Sequence, residues 1–273
     1  MGKVEELLAA GRLQPAIDEI TGEVKANPTD ANRRTFLFEL LCFAGDWDRA
    51  ERQLDIIGEQ SPKAAVGAEV YRNNIRAERA RTRLFSDGLR PHFLFDPPPY
   101  VNSHLEAICQ IAEGQFERAR ELLDRAERQR AALQGKLNDK DFLDFRDYDD
   151  VVAPVLELIA GDQYLWLPFE QIKELQIPKP SRLRDLIWPE AKLVTNEGSL
   201  GEVFLLALYH GSPVAVDDRV KLGRMTEWST LGDRLYSGAG LRLFLVDDQD
   251  RPIFEANKIE FCNNDFTGTA LPM

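Results

Sequence analysis

Three histidines and three cysteines are the side chains of this chain best suited to hold a metal or act as nucleophiles, and their spacing suits neither task. His92, His104 and His210 stand in no ligand spacing with one another or with Cys42, Cys109 and Cys262. No G-x-S-x-G elbow, H-E-x-x-H pair or G-x-x-x-x-G-K-[ST] loop occurs. Gly238-Ala239-Gly240 is too short to cradle a phosphate and reads as a turn before a strand at Leu241. The acidic run Asp139, Asp141, Asp144, Asp147, Asp149 and Asp150 could hold a divalent cation, but it lacks the Gly and terminal Glu of a calcium loop. Capping of a helix that begins near Val151 is its better use. Arg182–Trp188 and Leu222–Trp228 each combine Arg, an acid and Trp. Such residues can anchor a partner, but a buried ion pair with Trp in the core is the better reading. The chain is therefore expected to be no enzyme, with no catalytic residue, no cofactor and no metal.

The balance of charge narrows the partners. The chain has 273 residues, 44% hydrophobic and 29% charged, with a formal net charge of −12. That composition suits a globular protein large enough for two domains. So acidic a chain repels a phosphate backbone, so nucleic acid is not expected. The apolar run Val203–Tyr209 suits a buried strand and is too short to cross a bilayer, so no membrane is expected either. Three widely separated cysteines form no disulfide framework and suggest a reducing compartment. Arg76, Arg79, Arg81 and Arg83 cluster, with Glu78 interleaved. A solvated helix face with local ion pairs explains them best, and a patch for an acidic or helical partner is the sharper alternative.

The elements that would position a binding surface show in a repeat. Gly11, Leu13, Ala16, Ile20 and Pro28 recur as Gly45, Trp47, Ala50, Leu54 and Pro62, all at an offset of 34. That is the period of the tetratricopeptide repeat, a pair of antiparallel helices that stacks on its neighbours. Gly ends the first helix in the left-handed conformation. Ala lets the two helices approach closely. Pro breaks the chain between units. A third copy, Gly114, Phe116, Ala119, Leu123 and Ala126, follows Gly45–Ile57 at an offset of 69. The intervening unit, roughly 65–98, is degenerate and ends in the extended Pro97-Pro98-Pro99 run.

Beyond residue 163, aromatic and β-branched residues alternate with turn residues. Strands are expected at Ala191–Thr195, Glu202–Tyr209, Arg219–Arg224, Leu241–Val246 and Ile253–Phe261, with a short helix at Phe169–Leu175. The stripe Val151, Val152, Val155, Leu156 and Ile159 reads as a helix ended by Gly161. The expected fold class is α+β: N-terminal tetratricopeptide-like helical repeats, then a mostly antiparallel β domain with a helical entry. The expected domains are a repeat domain at 1–134, an acidic connector and helix at 135–162, and a β-rich domain at 163–273. Phe142, Phe145 and Tyr148 in the connector want burial, so the halves should form one rigid unit.

Several blocks of the second half look like those of one family. They are Tyr164–Glu170, Leu183–Trp188, Gly201–Leu205 with Ala207-Leu208-Tyr209, and Leu222–Trp228. In the helical half, Tyr71–Glu78 adds a further block. Together they resemble the ImpE family, also called TagJ, in the family's order and over nearly the whole chain. One departure is Leu206, where the family pattern has Pro. The resemblance implies a cytoplasmic bacterial accessory protein of a type VI secretion system. It implies binding to the N-terminal helix of the small sheath subunit, TssB, and an indirect link to sheath recycling by the ClpV unfoldase. No catalytic residues come with it.

A helical repeat supplies a groove for such an amphipathic helix. Two surfaces are candidates. One is the end helix, with Val4, Leu7 and Leu8. The other is the inner face of the first helices of the later units, with Asn32, Thr35, Glu39, Asn73, Arg76 and His104. The alternative function is an enzyme or small-molecule sensor with its site in the β-rich domain, for which an apolar pocket with convergent polar groups would speak.

Overall fold

The computed structural model describes residues 2–262. Seven helices come first: α1 Lys3–Ala9, α2 Leu13–Ala26, α3 Ala31–Phe43, α4 Trp47–Gly58, α5 Pro62–Asp87, α6 Val101–Ala112 and α7 Phe116–Glu127. The repeat signature is built as its chemistry requires. Gly11, Gly45 and Gly114 take φ of +70°, +66° and +73° in the turns α1–α2, α3–α4 and α6–α7. Ala16, Ala50 and Ala119 are fully buried at the helix crossings. Pro62 occupies the first turn of α5, where its missing N–H costs nothing, and Ser61 caps that helix through Ala64 N at 3.2 Å. Helix α5 runs for 26 residues and is the long member of the degenerate unit.

Strands follow at β1 Gly135–Leu137, β2 Lys140–Phe142, β3 Phe145–Asp147, β4 Val155–Ala160, β5 Gln163–Pro168, β6 Ile172–Gln176, β7 Glu190–Thr195 and β8 Gly198–Leu205. After a one-turn helix, α8 Asp218–Lys221, come β9 Thr226–Leu231, β10 Leu235–Gly240, β11 Leu243–Val246, β12 Gln249–Pro252 and β13 Lys258–Phe261. An eight-stranded antiparallel sheet has the order β2-β1-β13-β6-β7-β8-β4-β5. A three-stranded sheet, β12-β11-β3, packs against it, and β9 and β10 form a separate hairpin. Phe145, Phe169, Phe244 and Phe261 fill the space between the two larger sheets.

The structure corrects four sequence expectations. The segment 135–162 is not a connector and helix. It forms β1 to β4, and Val151–Ile159 is buried on every side. An apolar run broken only by Pro154 and a buried Glu157 carries no clear period that separates a buried strand from a buried helix. Arg219–Arg224 is not a strand, because Asp217 caps α8 there through Arg219 N at 2.8 Å. Phe169–Leu175 is a short 3-10 turn that runs into β6. Ile253–Phe261 is likewise a 3-10 turn followed by β13.

The β-rich half lies along the turns inside the helical units. Asp218 Oδ2 accepts from Leu13 N at 2.8 Å and Gln14 N at 3.3 Å, capping the N-terminus of α2 from the other half of the chain. Arg224 donates to Ala9 O at the C-terminal end of α1, at 3.1 Å. Acid thus meets a helix N-terminus and base a C-terminus, as the peptide dipoles favour. Pro213 sits against Gly45, and Phe116 against Gly232.

Candidate functional site

Four of the nine residues expected to bind a partner come together. Val4, Asn32, Thr35 and Glu39 line one groove of about 660 Å³ between α1, α2 and α3. Gly2, Glu5, Ile20, Glu23, Arg33 and Phe36 complete its walls. Val4 of the end helix and three residues of the inner face of α3 thus line one groove. Asp30 starts α3 by accepting from Asn32 N at 3.0 Å and Arg33 N at 3.1 Å, which fixes the face that α3 turns to the groove.

The remaining expected residues lie elsewhere. Leu8 is buried and Leu7 half-buried against the core, so α1 does not offer an open apolar face. A seven-residue helix has too few turns to hold an apolar stripe away from its neighbour, and α1 spends Val4 and Leu8 on packing. Arg76 pairs with Glu69 and with Asn73 on the outside of α5. His104 is only 4% exposed. Its Nδ1 lies 2.8 Å from Val151 O, so it ties α6 to the β-rich half. Burial pushes its pKa down to about 4, against the hydrogen bond to that carbonyl.

Glu39 does double duty. It lines the groove and accepts from Arg184 at 2.7 Å. Arg184 also donates to Tyr71 OH at 2.7 Å and lies over the Tyr71 ring. Trp188 stacks between Trp47 and Tyr71, and its Nε1 donates to Glu78 at 3.0 Å. Burial raises the Glu39 carboxyl, while the Arg184 charge pulls the other way.

Behind this clamp lies a buried ionic node. Arg81 on α5 donates to both oxygens of Glu157 on β4, at 2.8 and 2.7 Å, and to Leu208 O at 3.0 Å. Arg242 bridges Glu157 and Asp147 and donates to Leu206 O at 2.9 Å. Tyr164 OH adds a bond to Glu157, and Tyr209 OH donates to Asp147 at 2.8 Å. Burial pushes the Glu157 carboxyl up, but two guanidiniums and the Tyr164 hydroxyl outweigh it and bring it to about 2. Asp149 caps Val151 N and holds Gly238 N and Ser237 Oγ of β10; burial and the neighbouring Asp147 charge push it up to about 7. Asp144, Asp147, Asp149 and Asp150 are thus spent on backbone caps and ion pairs. Among the described residues, no group of three or more His, Cys, Asp or Glu is placed to hold a metal ion.

The two Trp segments resolve differently. In Arg182–Trp188, Trp188 is buried and Arg182 and Arg184 pair with Asp185 and Glu39. In Leu222–Trp228, Trp228 is half-buried against Tyr148 and Tyr209, and Arg224 holds the end of α1. Neither presents a free anchor to a partner. The β-rich half has its own hollow of about 590 Å³, lined by Gln176, Ile177, Pro178, Glu190, Ala191, Lys192, Glu202, Asn257 and Lys258. Its charged residues alternate in sign and its walls carry no His, Cys, Ser or Tyr.

Sequence reasoning missed Glu5, Ile20, Glu23, Arg33 and Phe36 as groove residues. Phe36 carried a usable signal: it lies four residues after Asn32 and three before Glu39, on the same helix face.

The ImpE protein family profile matches residues 139–260. The type VI secretion system accessory component TagJ of Pseudomonas aeruginosa is 35% identical over 257 residues, covering 94% of this chain and 90% of that protein. The crystal structure of protein VPA1032 from Vibrio parahaemolyticus superposes with a TM-score of 0.89 at 28% identity, covering 97% of this chain and 99% of that one. The relative matched along nearly its whole length and the family profile within the β-rich half agree: the chain belongs to the ImpE family, also called TagJ.

Proposed function

We propose that this chain is a non-enzymatic accessory protein of a bacterial type VI secretion system. It works in the cytoplasm as an adaptor for the contractile sheath. Its groove between α1, α2 and α3 takes an amphipathic helix of the small sheath subunit, TssB, and so modulates sheath assembly or its recycling by ClpV. The observation that carries this reading is the 35% identity to an accessory component of that system across 94% of the chain. The groove supports it, because a helix laid across stacked helices is a recurrent recognition mode.

Calorimetry with the TssB N-terminal peptide tests the reading. Phe36 is half-buried at the groove wall, so Phe36→Asp should weaken binding at least about tenfold, equivalent to roughly 1.4 kcal/mol. Arg76→Ala, on the outer face of α5, should leave binding unchanged. Equal affinities for the wild type and Phe36→Asp would place the site elsewhere, and no binding by the wild type would remove TssB as the partner.

A further inference from the structure

The groove's walls carry more information about its occupant than its floor does. Val4 and Ile20 are only 2% and 1% exposed, so the floor is already covered by α1 and α2 packing on each other. Phe36 is the main apolar side chain left for a partner to cover. Burying one such ring gives affinity but little discrimination between helices that carry one large apolar residue.

The rim is acidic. Among the described residues, Glu5, Glu23 and Glu39 line it against a single cation, Arg33. Arg33 is already shared by Glu23 at 3.1 Å and Asp30 at 3.5 Å. Glu39 is held by Arg184. Glu5 differs: among the described residues no Lys or Arg lies within ion-pair distance of it, nor of Glu6 beside it. It stands exposed in the first turn of α1, at the mouth of the groove. Asn32 and Thr35 add neutral hydrogen-bonding groups on the opposite wall.

We infer that the groove selects a basic amphipathic helix. One large apolar side chain of that helix covers Phe36, and Lys or Arg on its flank faces Glu5. The inference rests on the groove being the partner site, as proposed above, and adds the chemistry that decides which helices enter. Complementary charge on an exposed rim steers encounter and rejects helices of the wrong sign. A chain of net charge −12 adds a long-range bias in the same direction.

Two labelled helical peptides test this on the full chain. They share one Leu stripe; one carries Lys on its flanks and the other Glu. Fluorescence anisotropy should show the Lys peptide binding about fivefold to tenfold tighter than the Glu peptide. Raising salt from about 0.1 M to about 1 M, which shortens the Debye length from about 10 to about 3 Å, should remove most of that preference. Glu5→Lys, at an exposed position, should narrow or reverse it, with circular dichroism confirming that the fold is kept. Phe36→Asp should weaken both peptides. Equal binding of both peptides that Phe36→Asp removes would overturn the charge selection and leave the groove standing. Binding that Phe36→Asp does not affect would overturn the groove itself. Failure of the Lys peptide to bind the wild type would also overturn the inference. So would a dimer lost in Phe36→Asp, because the occupant would then be a second copy of this chain.

Discussion

At the scale of single residues, the molecule depends on charges placed where water does not reach. Glu157, Arg81, Arg242 and Asp147 are all essentially buried, and each carboxylate faces at least one guanidinium. Desolvating so many charges costs several kcal/mol per ion unless every partner is in place. Glu157→Gln leaves Arg81 and Arg242 with one shared carboxylate fewer. It should destabilise the protein by about 3–5 kcal/mol in urea unfolding. A loss under about 1 kcal/mol would mean that water or a neighbour compensates the pair. His104 gives a pH-dependent counterpart. Its folded pKa of about 4 lies below the ordinary histidine value, so the fold favours the neutral ring. The stability this burial permits is complete above about pH 6.5 and is lost as pH falls toward 4. Asp149, raised to about 7, works the other way, since its charged form is the disfavoured one and stability falls as pH rises toward that value. The informative quantity is therefore the difference between wild type and His104→Gln. The variant should lose about 3 kcal/mol less between pH 6.5 and 4, read as the shift in urea midpoint. Parallel pH curves would show that His104 takes up a proton as readily in the folded as in the unfolded chain.

At the scale of elements, the turns inside the helical units hold the structure together. Gly45 and Gly114 share a left-handed φ, of +66° and +73°, but not a neighbourhood. A Cβ on Gly45 would stand 2.7 Å from Pro213 Cβ, whereas one on Gly114 would meet nothing within 4 Å. Gly114→Ala should cost about 1 kcal/mol of backbone strain. Gly45→Ala should cost about 1 kcal/mol more, because Pro213 and the loop it belongs to must shift. Thermal melts of both variants measure the difference, and equal losses would show that the β-rich half does not press on that turn. These glycines were legible in the sequence because their spacing repeats and the αL conformation admits few other residues. The strand Val155–Ala160 was not legible, because its one charged residue, Glu157, is buried with the apolar ones and leaves no alternation to reveal the period. Helix α8 was not legible either. Its function is to place Asp218 at the start of α2, a contact 205 residues away in sequence. The residues that carried the family resemblance, Tyr71 and Glu78 on α5 and Arg184 and Trp188 after β6, converge on the clamp between the halves. Sequence reading could note their types but not that they touch. The groove was half legible: Asn32, Thr35 and Glu39 follow from helix spacing, while Glu5 and Ile20 enter it only through the packing of α1 on α2.

At the scale of the whole molecule, helices and sheets share their interior. One continuous apolar cluster includes Leu13, Phe38, Ile75 and Ile108 from the helices together with Val155, Trp166, Trp188 and Leu208 from the β-rich half. The short link after α7 leads straight into β1, and Phe142 and Phe145 just beyond it are buried between sheets. Cutting the chain there would expose that shared cluster and leave Arg81 without Glu157 and Glu78 without Trp188. Each half alone would carry uncompensated charge on an apolar face, which favours aggregation or a partly folded state over a second native domain. The full chain should therefore unfold in one cooperative transition, with circular dichroism of the helices and Trp fluorescence, three of whose four sources lie in the second half, reporting the same midpoint. Limited proteolysis should cut residues 128–150 slowly and release no pair of stable fragments. Residues 1–134 and 135–273, expressed separately, should each lack a sharp melt. Separate midpoints for the two probes, or a cooperative melt from either fragment, would show that the groove can be presented without the β-rich half behind it. The groove is braced on a fixed frame, because α1 is held at Ala9 by Arg224 and α2 at Leu13 by Asp218. Asp218→Ala should then lower affinity for the partner helix as well as stability, the latter by about 1 kcal/mol, and calorimetry on the intact chain separates the two effects.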